Sequence, residues 1–217
     1  MQYMEFTGKV ADWDFVGSRV YPVLLNEENE KALSEEVISE GILDLSIIYE
    51  VREQFGESSY VTVKVTEALL EAYGISKEEL HRRAMENLKE DGYELLDLEQ
   101  CILWITGGAM ESKAQPVQGG VQDGRMYVLK NASGRHGAAG ILDTGLLRSV
   151  IGGKDCFILP SSIHETILFP AAGLEKRQEE LDNMVAEINS TVVSKGERLS
   201  DHIYYYDAQK GELRIWA

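Results

Sequence analysis

The 217-residue chain has only two cysteines and four prolines, and its 21 Lys and Arg are far outnumbered by 37 Asp and Glu. Each shortage excludes something. Cys101 and Cys156 each sit in an apolar run, "QCILWI" and "DCFILP", which suits small buried side chains rather than a disulfide framework or a zinc site. The longest apolar stretches are Ile102 to Ile105 and Ile167 to Leu174, the second interrupted by Pro170 and Gly173. Both fall short of the ~20 residues a helix needs to cross a bilayer, so no membrane is expected. Near the start, Glu5, Lys9, Asp12 and Asp14 break every candidate for a basic segment followed by an apolar one. No secretory signal is read, and the expected location is the cytoplasm. The scarcity of cations also bears on partners. With a formal net charge of −16, the chain repels phosphate backbones unless a basic patch is hidden in the fold. The only close basic pairs, Arg82-Arg83 and Lys176-Arg177, have Glu around them. Direct nucleic-acid binding is not expected.

The acidity is uneven. Residues 1–100 hold 23 Asp and Glu against 9 Lys and Arg, whereas residues 101–217 hold 14 against 12. A solvated face accounts for such a bias without any partner. Hydrophobic patterning is ordinary for a globular chain, with 44% apolar residues and no internal repeat.

Local signals place the elements. Around Pro22, "SRVYPVLLN" reads as an extended segment, and Glu27 to Ile38 as a one-sided surface helix stopped by Gly41. Leu43, Leu45 and Ile47 alternate with polar residues, as do Val61, Val63 and Val65, and Gly56 to Ser59 lie between the two runs. This pattern predicts a β-hairpin. Thr66 caps a helix that Gly74 ends, and Ser76 with Glu79 forms a capping box opening a second, which runs to Gly92. "ELLDLEQCILWIT" is compatible with either strand or helix, and Gly107 to Gly124 reads as a surface loop. Further on, "RMYVLKN" is a strand, "GAAGILD" a short extended run and "TGLLRSVIG" a brief helix. "DCFILPS" and "ETILFP" are strands, Leu174 to Ser190 is a helix, and "DHIYYYD" with "ELRIW" makes a terminal hairpin. Helices and strands alternate irregularly with several hairpins. That order favours α+β, a mostly antiparallel sheet with hairpins and packed helices. The expected organisation is a single domain over 1–217, or two lobes: an acidic one over 1–98 and a Gly-rich one over 123–217.

Candidates for chemistry concentrate in "FILPSSIHETILFP". There Ser161, Ser162, His164 and Glu165 offer a hydroxyl nucleophile, an imidazole base and an orienting carboxylate. No G-x-S-x-G elbow surrounds either serine, and His164-Glu165 does not extend to H-E-x-x-H because position 168 is Leu. A turn with hydroxyls satisfying local backbone groups explains the same letters. His81, His136, His164 and His202 are dispersed, with no ligand spacing between them, and no metal or other cofactor is implied. His81, beside Arg82 and Arg83 on a helix, reads as solvated. Gly134, Gly137 and Gly140 match neither a dinucleotide fingerprint nor a P-loop. Asn131, Ser133, Arg135 and His136 form a polar loop able to line a pocket for a small molecule or peptide. Tyr204, Tyr205, Tyr206, His202 and Trp216 put aromatics on both faces of the terminal hairpin, half of them for the core.

Together, "MYVLKN", "GAAGILDTGLL", "FILPSSIHETILFP", "RVYPVLLNEENEKAL" and "LDLSIIYEV" resemble an uncharacterised bacterial family. It is a domain of unknown function found in cytoplasmic proteins of anaerobic Gram-positive gut bacteria and their mobile elements. The resemblance spans most of the chain, is most specific at "LPSSIHE", and does not extend to Gly107–Gly124. It implies a cytoplasmic single-domain protein with no assigned activity, so no functional residue carries over. The leading functional reading is a binding or regulatory module, with an unknown protein or small-molecule partner, rather than an enzyme. One alternative is a hydrolase built on Ser161 or Ser162, His164 or His136, and Glu165. The other is an acidic decoy imitating nucleic acid.

Overall fold

In the computed structural model the described residues are 2–55, 59–105, 114–160, 162–172, 181, 183, 185–186 and 193–216. The chain divides into two compact units, residues 1–91 and 92–217.

The first unit is built around one long strand, β3 (Leu45–Phe55). Strand β1 (Val20–Asn26) pairs antiparallel with Leu45 to Val51. Strand β2 (Ser39–Ile42) pairs with Leu45 to Ile48, and β4 (Ser59–Lys64) with Glu50 to Phe55. Because β1 overlaps β2 at Leu45 to Ile48 and β4 at Glu50 and Val51, β2 and β4 share the opposite edge of β3. Tyr49 falls between them, its carbonyl accepting the amide of Val65 at 2.8 Å. Every residue from Leu45 to Val51 is buried, Ser46 included, and Leu43 is exposed, so both faces of β3 are covered there and the simple alternation read from sequence does not hold.

Helices α1 (Gln2–Lys9) and α2 (Trp13–Val16) precede the sheet, and α4 (Glu67–Tyr73) and α5 (Lys77–Glu90) follow it. Both later helices carry the expected caps: Thr66 accepts from the amide of Leu69, Ser76 accepts from that of Glu79, and Gly74 closes α4 with φ of 65°. Helix α5 is fixed to β1 by buried Asn87, whose Nδ2 donates to the carbonyls of Gly17 at 2.9 Å and Val20 at 2.8 Å. The helix expected over Glu27 to Ile38 is shorter, since α3 covers only Glu27–Lys31. Its first turn has no apolar anchor, and the amide of Ile38 is taken by the Val65 carbonyl at 3.0 Å as the chain turns into β2. Strand pairing with burial of Ile38 outweighs a weak helical preference.

The second unit carries a six-stranded antiparallel sheet in the order β10-β9-β7-β8-β6-β5. These are β5 (Tyr93–Asp97), β6 (Tyr127–Asn131), β7 (Cys156–Leu159), β8 (Glu165–Pro170), β9 (Tyr204–Asp207) and β10 (Glu212–Ile215). The ambiguous "ELLDLEQCILWI" is both things in turn: β5, then α6 (Leu98–Ile105), with Asp97 Oδ1 accepting the amide of Gln100 at 3.2 Å. One sheet face presents Phe157, Leu159, Ile167 and Phe169 to a cluster with Leu181, Val185 and Ile203. Residues 181, 183, 185 and 186 are helical; the rest of the helix expected over Leu174 to Ser190 lies outside the described residues.

The other face, with Tyr127, Leu129, Ile158 and Leu168, meets "GAAGIL". This segment is a buried 3-10 turn over Gly137–Leu142 and not the extended run expected from its letters. Its composition explains the difference. A Cβ on Gly140 would lie 2.4 Å from the Tyr93 ring, and one on Gly137 would lie 2.5 Å from the His164 carbonyl, so the backbone itself packs where a side chain would otherwise stand. Helix α7 (Thr144–Ile151) follows, capped by Asp143. In the terminal hairpin Tyr204 and Tyr206 are buried, while Tyr205 lies on the face shared with Phe157 and Trp216.

Candidate functional site

The turn between β7 and β8 is held by one local bond and by several to residues 197–200 before any function is considered. Ser162 Oγ accepts the amide of His164 at 3.1 Å. The amide of Ile163 donates to the Glu197 carbonyl at 2.8 Å, Ser200 N to the Pro160 carbonyl at 3.1 Å, and Ser162 bridges antiparallel to Arg198. The stretch 197–200 therefore runs beside the "PSSIH" turn like a short extra strand. A second loop arrives from β6. Fully buried Asn131 closes it by donating Nδ2 to the Arg135 carbonyl at 2.8 Å and accepting the Arg135 amide at 3.1 Å. The next residue, His136, adopts φ of 53°. That left-handed geometry aims the Ala138 amide at the Ile163 carbonyl, 3.3 Å away.

These two loops bring His136 and His164 together. Their rings lie 5.7 Å apart with planes only 5° from parallel. His136 N donates to His164 Nδ1 at 3.3 Å, and His164 Nε2 faces Glu197 Oε1 at 3.4 Å. Glu197 is itself oriented by Ser194, whose hydroxyl donates to Oε2 at 2.8 Å. An Nδ1 that accepts requires the neutral ring to carry its proton on Nε2, pointing at the carboxylate.

Of the residues singled out from sequence, Asn131, Ser133, Arg135, His136, Ser162 and His164 share this corner. Ser133 adds a 3.3 Å contact from its Oγ to the Arg135 amide. Ser161 lies outside the described residues. Glu165 is exposed and stands opposite Lys130 in the β6–β8 register; the carboxylate that meets His164 is Glu197. Nothing in "SKGERL" marks Glu197, because the contact depends on how 197–200 lies along the turn. Ser162 does not have the bonding of an activated nucleophile: its oxygen takes a backbone amide, while both His164 nitrogens face other groups.

A second constellation, in the first unit, was invisible in the sequence. His81 does not simply face solvent. Its Nδ1 lies 2.8 Å from the hydroxyl of buried Tyr49, and Glu40 Oε2 lies 3.3 Å from that hydroxyl and 3.6 Å from His81 Nδ1. Burial, with the Glu40 charge beside it, pushes the Tyr49 hydroxyl well above the ordinary phenol range. The three residues line a cleft of about 350 Å³ together with Ile38, Ser39, Lys77 and Glu78.

The cysteines carry no chemistry in this arrangement. Both are free, and burial raises both thiols. Cys156 Sγ rests on the Phe169 carbonyl at 3.0 Å. Among the described residues no group of three or more His, Cys, Asp or Glu is placed to hold a metal ion, and no helix is long and apolar enough to cross a membrane.

Fold and site thus define an α+β protein of two antiparallel sheets with a paired-imidazole corner on the second. Residues 2–208 match the family of unknown function DUF5688, and the chain belongs to that family. Comparison with curated proteins and with solved structures gives no match.

Proposed function

We propose that the protein is a binding module of the bacterial cytoplasm, and that the corner formed by Ser133, Arg135, His136 and His164 receives a carboxylate-bearing peptide or small molecule. The observation that carries this reading is the paired imidazoles on a pre-set frame. Asn131, Gly137 and Ser162 spend their polar groups or their small size on holding the loops, so the imidazole edges and the exposed Arg135 are positioned before a ligand arrives, which lowers the ordering cost of binding. Local charge supports an acidic ligand. In a chain of net charge −16, the loop from Asn131 to Leu142 contains Arg135 and His136 and no Asp or Glu, while Lys130 before it is paired with Glu94 and His164 faces Glu197. Planar guanidinium and imidazole donors match a carboxylate well.

The hydrolase reading needs Ser162 to exchange its amide contact for an imidazole, and so draws less support from this geometry. The decoy reading needs unneutralised carboxylates on one surface, whereas Arg82 bridges Glu79 and Glu86, Lys77 meets Glu67, and Lys31 meets Glu27.

Amide chemical shifts of the full chain, followed while an acidic N-acetyl tetrapeptide is added, test the binding reading. Saturable shifts at residues 133–136 and 164, absent with the amidated peptide and abolished by Arg135→Ala with His136→Ala, are expected. Equal shifts with both peptides, or shifts indifferent to the double substitution, would overturn it.

A further inference from the structure

We propose that the outer edge of strand β10 is a docking surface for a second copy of this chain, the two copies pairing antiparallel about a two-fold axis at Leu213. The two edges of the second sheet differ. Beyond β5 the chain itself supplies cover, since the amide of Val117 donates to the Leu95 carbonyl at 2.7 Å and Pro116 bridges to Leu96. Beyond β10 no further strand pairs among the described residues. The ladder decides which groups that edge presents. The amide of Trp216 donates to the Ile203 carbonyl at 2.8 Å, and hydrogen-bonded pairs alternate along an antiparallel ladder, so Arg214 and Glu212 turn their backbone groups inward to Tyr205 and Asp207. Leu213 and Ile215 therefore turn theirs outward, as the edge of a sheet that another strand can extend.

The charges on this edge select the occupant. Glu212 and Arg214 are exposed on one face of β10, and among the described residues neither lies within ion-pair distance of an opposite charge. The Arg214 guanidinium stands 4.7 Å from the Tyr205 ring centre and 4.9 Å from that of Trp216, which keeps it on that face. Bonds across the edge form only where outward-facing residues meet, which restricts the registers open to two copies. Pairing Leu213 with the partner's Leu213 sets Glu212 opposite the partner's Arg214, and Arg214 opposite the partner's Glu212. Pairing Leu213 with the partner's Gly211 instead sets Glu212 against the partner's Glu212, and pairing it with the partner's Ile215 sets Arg214 against the partner's Arg214. Opposite charges directly across a strand pair attract and like charges repel, so the register about Leu213 is favoured. A two-fold contact of this kind closes on itself as a dimer. Charges on an edge strand ordinarily discourage pairing; here they discourage every register but one. Residues 92–217 carry 17 Asp and Glu against 12 Lys and Arg, compared with 20 against 9 in residues 1–91, so the edge belongs to the unit whose net charge opposes self-association less.

The test follows the mass of the intact chain by sedimentation velocity from about 10 μM to about 1 mM, since one strand pair per copy makes a small interface and hence a weak, reversible dimer. The expected result is an average mass that rises toward twice that of the monomer. Glu212→Arg, at an exposed position, leaves the fold intact, sets like charges opposite at both symmetry-related places and weakens self-association about tenfold or more. Arg214→Glu acts in the same way with the other sign. Mixing the two variants restores association, because each reversed charge then faces its opposite, and the chain carrying both substitutions associates with itself as the unaltered chain does. Leu213→Pro removes an outward amide without touching the inward ladder and abolishes the dimer. A chain that stays monomeric over the whole range, a dimer indifferent to these substitutions, or charge-reversed variants that fail to associate when mixed would each overturn the proposal. Arg135→Ala with His136→Ala leaves self-association unchanged, so the strand edge and the imidazole corner succeed or fail separately.

Discussion

His136 and His164, 28 residues apart in sequence, lie ring over ring, and the backbone amide of the first donates to Nδ1 of the second at 3.3 Å. The pair fixes a protonation pattern. Neutral His164 is expected to carry its proton on Nε2, toward Glu197, and a long-range nitrogen–proton correlation spectrum reads this directly. A proton on Nδ1 would contradict the bond. Glu197→Ala should leave the tautomer in place, because the His136 amide sets it, while broadening or shifting the Nε2 signal.

Gly137 sets how closely the two histidine loops approach. A Cβ there meets the His164 carbonyl at 2.5 Å and the Asn131 amide at 2.9 Å, both backbone atoms, which cannot swing aside as a side chain end could. Gly137→Ala is expected to cost about 1–3 kcal/mol and to separate the rings. A shifted urea midpoint together with changed His164 ring resonances would register both effects, whereas Gly134→Ala, in open space but at φ of 65°, should cost stability through the backbone alone and alter neither ring.

In the first unit the corresponding fastener is Asn87. Replacing it with Ala removes a donor from two carbonyls beneath α5, that of Val20 and that of Gly17, the second of which still accepts from Arg83 Nε at 3.1 Å. The expected loss is about 1–3 kcal/mol, measured as a lower denaturation midpoint with an unchanged denaturant slope. A neutral outcome would mean that water replaces the amide there.

Tyrosines make the fold sensitive to alkali. Burial raises Tyr73 to about 12, and burial with the Asp155 contact raises Tyr205 to about 12. A folded value above the unfolded one near 10 means the stabilisation is fully present below pH 10 and is lost as pH rises from about 10 to 12. Absorbance titration of phenolate should therefore show a late-titrating class, with stability falling across that same window. A single tyrosine transition near pH 10 would contradict it.

Local chemistry in the sequence was enough to read the capped helices α4 and α5, the β3–β4 hairpin and the terminal hairpin, because each is specified by neighbours within a few residues; the β7–β8 turn was legible from the letters "PSS", although residues 197–200 help to hold it. Elements decided at long range were not legible. "GAAGIL" packs as a 3-10 turn because the Tyr93 ring and the His164 carbonyl stand against it, and α3 stops early because Val65 claims Ile38. The sites divide in the same way. The "SGRH" and "PSSIH" letters could be flagged separately, but their meeting rests on the register of β6 with β8, and Glu197 and the Tyr49–His81 pair come from segments with no local mark. A histidine beside two arginines on a helix gives no hint of the tyrosine 32 residues earlier that holds its Nδ1.

Strand β3 has partners along both edges and cover on both faces. Amides of Ile47 to Val51 can therefore meet deuterated solvent only when the first unit opens as a whole. Their exchange rates become a gauge of that unit's global unfolding, and any ligand that binds only the folded unit would slow them by the same factor with which it shifts the folding equilibrium.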